Sequence, residues 1–529
     1  YYNNGTSSTV SNNLTLAGGT LSVGGNNQTY SGAVNVSADS NINLRELANA
    51  TPTATARNIT LSGSLSGSGA ITLDSNNATA TGNQIGGTLT INKAASTWNG
   101  ALNVSRGTAL FTNVAGSGNA TPYVGYDGII NFNQFGRVIY RNIDDGSLTR
   151  TAALNFAASA VGELSVDNVG ALTSNYTLTQ SGAVNLNAGS VVRLVVDTAS
   201  QLDLTGGVVL NGNASVTVVG GDADSLVSIN TTGISGTGNL AINDEAGAWT
   251  QTSTRLAINV ASTFTGNTTL NEGILILGHK DALSSGSLTI TGSSTIQAGA
   301  DLSGANAVAN ALVLNNNLTV SGSNSLTLSG AVAATGADAS RTLTNSLTAG
   351  TLELSGTVNL GAAGNTAART LTISGVGNTT VGSAVVNGTA FANALLKNGT
   401  GTLTFGAGNT YTGATSLDLG TLVYTATNTQ TGVFNFGSAN TIATTGTLDL
   451  SAANATFGSL VAQTDTATAN NLTIGSGQTL TITGNVALGT ARGASTNTAL
   501  TTTGGGSLVV QNVTTPPTSF VVGGVTSAA

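Results

Sequence analysis

The chain has 529 residues, of which 40% are hydrophobic but only 7% charged and 4% aromatic, with 71 Gly and neither Cys nor Met. Its net charge of -8 arises from 22 acidic and 14 basic residues without a basic cluster, which excludes a nucleic-acid footprint and polybasic membrane attachment. The lack of cysteine removes disulfides and thiolate metal sites, and no apolar run approaches the roughly 20 residues of a transmembrane helix, so neither a cofactor nor a membrane span is expected.

From the N-terminus onward, apolar residues recur in pairs around one intervening residue. Examples are Leu14 and Leu16, Leu21 and Val23, Val34 and Val36, and Ile71 and Leu73. Later pairs are Leu318 and Val320, Leu326 and Leu328, Leu472 and Ile474, Leu480 and Ile482, and Val486 and Leu488. Period two sets each pair on one face of a strand. Strands this short are not stable as isolated hairpins. Gly opens strand after strand, at Gly19, Gly87, Gly350, Gly401, Gly420 and Gly446, and the Asn315–Asn317 run suits a corner where side-chain amides stack. The pattern predicts an all-β chain, a right-handed parallel β-helix forming a single elongated rod, with about 20 to 25 residues per coil. A sandwich or up-and-down barrel is the rival fold; it needs longer alternating strands and hairpin turns.

One phrase is written four times: Thr, an aromatic, a small polar residue, Gly. Its aromatic and Gly are Tyr30 and Gly32, Trp98 and Gly100, Phe264 and Gly266, and Tyr411 and Gly413. In the last three copies a second Gly follows nine residues after the aromatic, at Gly107, Gly273 and Gly420, whereas Asp39 takes that place in the first. The residue types predict a structural role: an aromatic filling the core at a corner, and Gly permitting a tight turn. A row of aromatics binding sugar rings is the functional alternative.

These phrases and their surroundings resemble the autotransporter-associated β-strand repeat. The fullest copy runs Lys397-Asn398-Gly399-Thr400-Gly401-Thr402-Leu403-Thr404-Phe405, then Asn409-Thr410-Tyr411-Thr412-Gly413, then Leu419-Gly420-Thr421-Leu422. The copy around Phe264 adds Gly278-His279-Lys280-Asp281-Ala282-Leu283 and Gly286-Ser287-Leu288-Thr289-Ile290. The resemblance covers about a fifth of the chain directly. It implies a bacterial surface or secreted protein with a β-solenoid passenger, hence an extracellular or cell-surface location. Without Met even at position 1, the chain reads as a processed or truncated segment.

Two stretches break the rhythm. Residues 121–150 concentrate rings and charge in Tyr123, Tyr126, Phe132, Phe135, Tyr140, Arg137, Arg141 and Arg150. They read as an irregular insertion whose rings cover the solenoid wall; the alternative is a contact surface, since Tyr and Arg favour interfaces. After a continuous solenoid over 1–515, Pro516-Pro517 starts a C-terminal linker or terminal strand over 516–529, with Phe520, Val521 and Val522 as a second candidate interface.

Catalytic signals are weak, and no enzyme activity is expected. His279 is the only histidine, so a His-based metal cluster cannot form. Glycosidase chemistry would need paired carboxylates, for which Asp144-Asp145, Asp222 with Asp224, and Asp244-Glu245 are the candidates; each reads more simply as loop acids. The expected function is a structural or adhesive extracellular solenoid, with surface glycans or host or biofilm matrix as partners. It would serve as the subunit of a filament if copies self-associate end to end. The alternatives are a polysaccharide-binding or polysaccharide-degrading β-helix, and a passive stalk of a larger autotransporter.

Overall fold

The computed structural model describes residues 7–22, 27–44, 57–75, 86–92, 97–112, 126–142, 147–168, 176–197, 200–220, 225–244, 254–336, 339–362, 365–436, 446–462, 470–488, 500–511 and 526–527. Among these, the regular elements are short strands and a single 3-10 turn at Gly304–Asn306. The strands pair in parallel, each with its equivalent one coil further on, which makes the chain a β-solenoid. No antiparallel hairpin occurs among the described residues, and a sandwich or an up-and-down barrel is thereby ruled out there. No helix among them is long and apolar enough to cross a membrane.

The chain divides into two compact units, Tyr1–Ile276 with Ala282–Ser285, and Leu277–Asp281 with Gly286–Ala529. In the first, one ladder climbs through Gln28–Tyr30, Ile59–Leu61, Thr88–Asn92, Leu102–Thr112, Ile130–Asn142, Val161–Asn168, Val191–Val196 and Ala214–Gly220. A second wall stacks Leu154–Phe156, Val184–Leu186, Val208–Leu210 and Ile234–Gly236. A third stacks Ser147–Arg150, Tyr176–Gln180, Ser200–Leu204, Leu226–Ile229 and Arg255–Ile258. The second unit repeats the plan. Leu318–Gly322, Arg341–Leu347, Thr370–Gly375, Ala394–Lys397 and Thr415–Leu417 form one wall. Leu326–Leu328, Leu352–Leu354, Thr379–Val381, Thr402–Phe405 and Gly420–Tyr424 form another.

Alternation along each strand produces the core. Leu178, Leu202, Val227 and Leu256 stand in register on successive coils, and all are buried. Burying such a side chain stabilises by about 1.5–3 kcal/mol, so a column of them outweighs the weak propensity of three-residue strands. The interior is filled: around Val184, Leu194, Leu204, Ile229 and Leu256 only about 10 Å³ remains open. A space that small and apolar holds no ligand. Coil length is looser than 20 to 25 residues. Equivalent positions are 19 apart at Asn409 and Asn428, but 31 apart at Asn27 and Asn58. The strands keep register across both spacings, Tyr30 beside Leu61 and Leu403 beside Leu422.

In the repeated phrase, Tyr30 ends the strand Gln28–Tyr30, whereas Trp98, Phe264 and Tyr411 lie outside strands. Tyr30, Trp98, Phe264 and Tyr411 are all buried. In two copies the Thr and the small polar residue donate backbone N–H groups to the preceding coil, Thr97 and Asn99 to Leu65 and Gly67, and Thr263 and Thr265 to Ile234 and Gly236. The two glycines of the phrase do different work. A Cβ on Gly100 would lie 2.0 Å from the Gly69 carbonyl oxygen, and one on Gly413 2.3 Å from that of Asn393; Gly32 and Gly266 are equally tight. The first Gly therefore permits close approach of two coils. The second adopts left-handed backbone, with φ of 105° at Gly107 and 82° at both Gly273 and Gly420. Asp39, which replaces it in the first copy, accepts a 2.8 Å hydrogen bond from the Ala70 amide of the next coil.

Polar side chains join the coils outside the core. Asn131 donates to Asn103 (2.7 Å), Asn155 to Asn131 (2.8 Å) and Asn185 to Asn155 (2.7 Å), a carboxamide ladder across four coils. The Asn315–Asn317 run forms no such ladder. Asn316 donates to the Thr291 carbonyl, and Asn317 accepts from the Thr342 amide. The same corner device, a side-chain oxygen accepting the next coil's N–H, recurs at Asn58, Asn213, Asn239 and Asn454.

Candidate functional site

Within residues 121–150, Ile130–Asn142 is a strand of the solenoid ladder, in register with Leu102–Thr112 on one side and Val161–Asn168 on the other. This corrects the expectation of an irregular insertion covering the wall. The alternation Phe132, Gly136, Val138, Tyr140 points inward, and Phe135, Arg137, Ile139, Arg141 points outward. The rings of Tyr126, Phe132 and Tyr140 are buried, so they offer no contact surface, whereas Phe135 is 40% exposed. Tyr123 and the Phe520, Val521 and Val522 group lie outside the described residues.

The inward rings form a plug. Trp98 stacks on Tyr126 at 4.4 Å, Tyr126 on Phe111 at 5.4 Å, and Phe111 on Tyr140 at 5.1 Å. Arg150, fully buried, sits 5.5 Å from the Tyr140 ring centre. Its Nη1 donates to Gln180 Oε1 (2.6 Å), its Nη2 to the Gly128 carbonyl (2.8 Å) and its Nε to the Tyr126 carbonyl (3.4 Å). Gln180 Nε2 donates in turn to the Ala152 and Gly182 carbonyls. Burial pushes the Tyr126 hydroxyl well above its ordinary range, and Tyr140 up to about 12 against the opposing pull of Arg150. Burial works to raise the Asp127 carboxyl, but hydrogen bonds from Thr151 and Ala152 outweigh it and hold it low. Each polar group here is bonded to backbone or to its neighbours. The plug is a staple between coils, not a reactive centre.

The outward side chains make a different arrangement. Strand register sets Arg137 beside Glu163 and Glu163 beside Arg193, Ile139 beside Ser165 and Ser165 beside Val195, and Arg141 beside Asp167. Arg137 Nη2 donates to Glu163 Oε2 at 3.0 Å, and its Nε lies 2.5 Å from Oε1 as an ion-pair contact. Ser165 Oγ also donates to Glu163 Oε1 (2.8 Å). Arg141 Nε donates to Asp167 Oδ2 (2.7 Å), and its Nη2 lies 2.6 Å from the same oxygen in an ion pair. Together with Asp197 and Val219 these groups line an open groove of about 370 Å³. The Glu163 side chain is only 5% exposed, while Arg137 and Arg141 keep 29% and 34%. Glu163 is held at both oxygens, so it is poorly placed as a general base. The groove instead presents fixed donors and acceptors on either side of an aliphatic centre line, an arrangement suited to recognition.

Arg137, Arg141 and Phe135 were legible from sequence as candidates. Their partners Glu163, Ser165, Asp167 and Asp197 were not, although the i, i+2, i+4 spacing of the first three puts them on one strand face. Asp144, Asp145, Asp222, Asp224 and Glu245 lie outside the described residues, and Asp244 is exposed. His279 Nδ1 accepts a hydrogen bond from the Asp281 amide at 3.0 Å and stands 3.7 Å from its carboxylate, a local turn at a half-exposed position. Among the described residues no group of three or more His, Cys, Asp or Glu is placed to hold a metal ion.

Compared with protein-family models, with curated proteins and with solved structures, the chain matches none.

Proposed function

We propose that the chain is a structural or adhesive β-solenoid of a bacterial surface or secreted protein, of the autotransporter-associated repeat kind. The observation that supports this reading is where the polar side chains go. The carboxamide ladder from Asn103 to Asn185, the Arg150 staple and the corner amides all bond one coil to the next. Lys397, buried, donates to the carbonyls of Asn398, Gly399 and Leu419. Side-chain chemistry in this protein maintains a stacked wall, and the wall is what a display or adhesion element supplies.

The test is surface display. Bacteria displaying the chain are expected to attach to matrix-coated or cell-coated surfaces more strongly than cells with an empty display scaffold. Unchanged attachment, together with polysaccharide turnover by the purified chain, would replace the structural reading with a catalytic one. Electron microscopy of the purified chain addresses the filament: end-to-end polymers are expected if copies self-associate, and monodisperse particles at high concentration reject polymerisation while leaving adhesion standing.

A further inference from the structure

We propose that the groove over Arg137, Arg141, Glu163 and Asp167 binds a neutral oligosaccharide. The inference goes beyond the adhesive reading and does not depend on it. Three features of the wall identify the ligand class.

First, the groove presents donors and acceptors side by side. Each guanidinium is held by a carboxylate, so neither swings to meet a ligand; the guanidiniums keep further N–H donors and the carboxylates keep lone pairs beyond those bonds. A vicinal diol, which donates and accepts at adjacent oxygens, is the natural match. Second, the charges are paired. In the lining Arg137 is bound to Glu163 and Arg141 to Asp167, with Asp197 as a third acid, and Arg193 stands in register beside Glu163 outside it. An anionic ligand would have to compete with the bound carboxylates, and a cationic one with the bound guanidiniums; a neutral one competes with neither. Third, the polar rows flank apolar surface. Ile139, Val195 and Val219 run along the middle, and Phe135 stands two residues before Arg137 on the same strand face with its ring 40% exposed. Sugar rings have polar rims and apolar faces, and an exposed aromatic ring is a platform for such a face. The wall repeats its rows at the inter-strand spacing of about 4.8 Å, comparable to the advance of one sugar unit along an extended glycan.

The experiment is calorimetric titration of the whole chain with cellohexaose, laminarihexaose and maltohexaose, with oligogalacturonate as the anionic control. At least one neutral hexasaccharide is expected to bind, with little dependence on salt. Phe135→Ala, at an exposed position, and Arg141→Gln, at a half-buried one, are each expected to weaken that binding about tenfold, the scale of one lost charge-assisted hydrogen bond or stacking contact. Circular dichroism of each variant confirms that the solenoid is intact. Absence of binding by all three neutral sugars, binding of oligogalacturonate alone, or neutral-sugar binding unaffected by both substitutions would each overturn the proposal. Attachment of displayed cells can persist when the groove fails to bind, and the groove can bind when attachment is absent, so the two readings fail separately.

Discussion

Two corners of the molecule bury a repeat aromatic and a tyrosine hydroxyl by opposite means. In the first unit, Trp98 leads into stacked rings closed by the Arg150 cation. In the second, Tyr411 Oη lies 2.6 Å from Thr415 Oγ1, Thr415 donates to Gln430 Oε1 (3.2 Å), and Asn428 donates to the same oxygen (3.1 Å), all without a charge. Tyr140 and Tyr411 are both pushed up to about 12 by burial, yet the opposing pull comes from Arg150 in one case and from Thr415 and Gln430 in the other. The repeat phrase thus specifies that a ring is buried at a corner and leaves its polar company to the local coil.

The largest expected effect tests the shared part of this comparison. Trp98→Ala and Tyr411→Ala should each destabilise by about 3–5 kcal/mol in denaturant unfolding, the range for emptying a buried aromatic site. If only one does, the phrase is not a common structural unit. The next tests the difference. Arg150→Met strands the acceptors Gln180 Oε1 and the Gly128 carbonyl and should lose about 3 kcal/mol, against about 1–2 kcal/mol for Gln430→Met, which strands the Thr415 and Asn428 donors, because an orphaned buried donor or acceptor costs about 1–3 kcal/mol. Equal losses would mean that charge adds nothing to the first corner. Gly100→Ala sets a methyl against the Gly69 carbonyl and should lose about 1–3 kcal/mol through overpacking.

The pH dependence separates the corners from the buried lysine. Tyr140 and Tyr411 have folded values near 12 against an ordinary 10.0, so the unfolded chain releases these protons first. Their contribution is complete below pH 10 and is lost as pH rises through 12. Lys397 runs the other way. Burial lowers its ammonium from 10.5 to about 8, so the unfolded chain holds this proton longer and stability gains across that window. Unfolding curves at stepped pH should show a rise between 8 and 10 that Lys397→Met abolishes, then a fall that the variant retains. The smallest expected effect is Asn155→Ala, which removes one rung from the carboxamide ladder and should cost about 1 kcal/mol.

Much of the fold was legible. The pairs at Val34 and Val36, Ile71 and Leu73, and Leu480 and Ile482 form strands with both residues buried, because a strand faces one core and period two is sufficient to say which residues enter it. Residues 121–150 misled for a physical reason: rings and charges alternate there, and composition averages the two faces together. Read by parity, Phe132 and Tyr140 separate from Phe135 and Arg137, and Ile130–Asn142 becomes an ordinary strand with a richly substituted outer face. The candidate site was half legible. Arg137 and Arg141 stood out, but Glu163 and Asp167 sit one coil later, and nothing local states how long that coil is.

The sequence alone determined that the chain is built of short parallel-stacking strands, that Tyr30, Trp98, Phe264 and Tyr411 go inside, and that glycine follows them, because periodicity and steric demand are local properties. The tertiary structure alone decided which residues meet across coils: Arg137 with Glu163, Arg141 with Asp167, Arg150 with Gln180. Coil length varies from turn to turn, so lateral neighbours are set by the closing of each loop onto a common core rather than by any fixed interval along the chain.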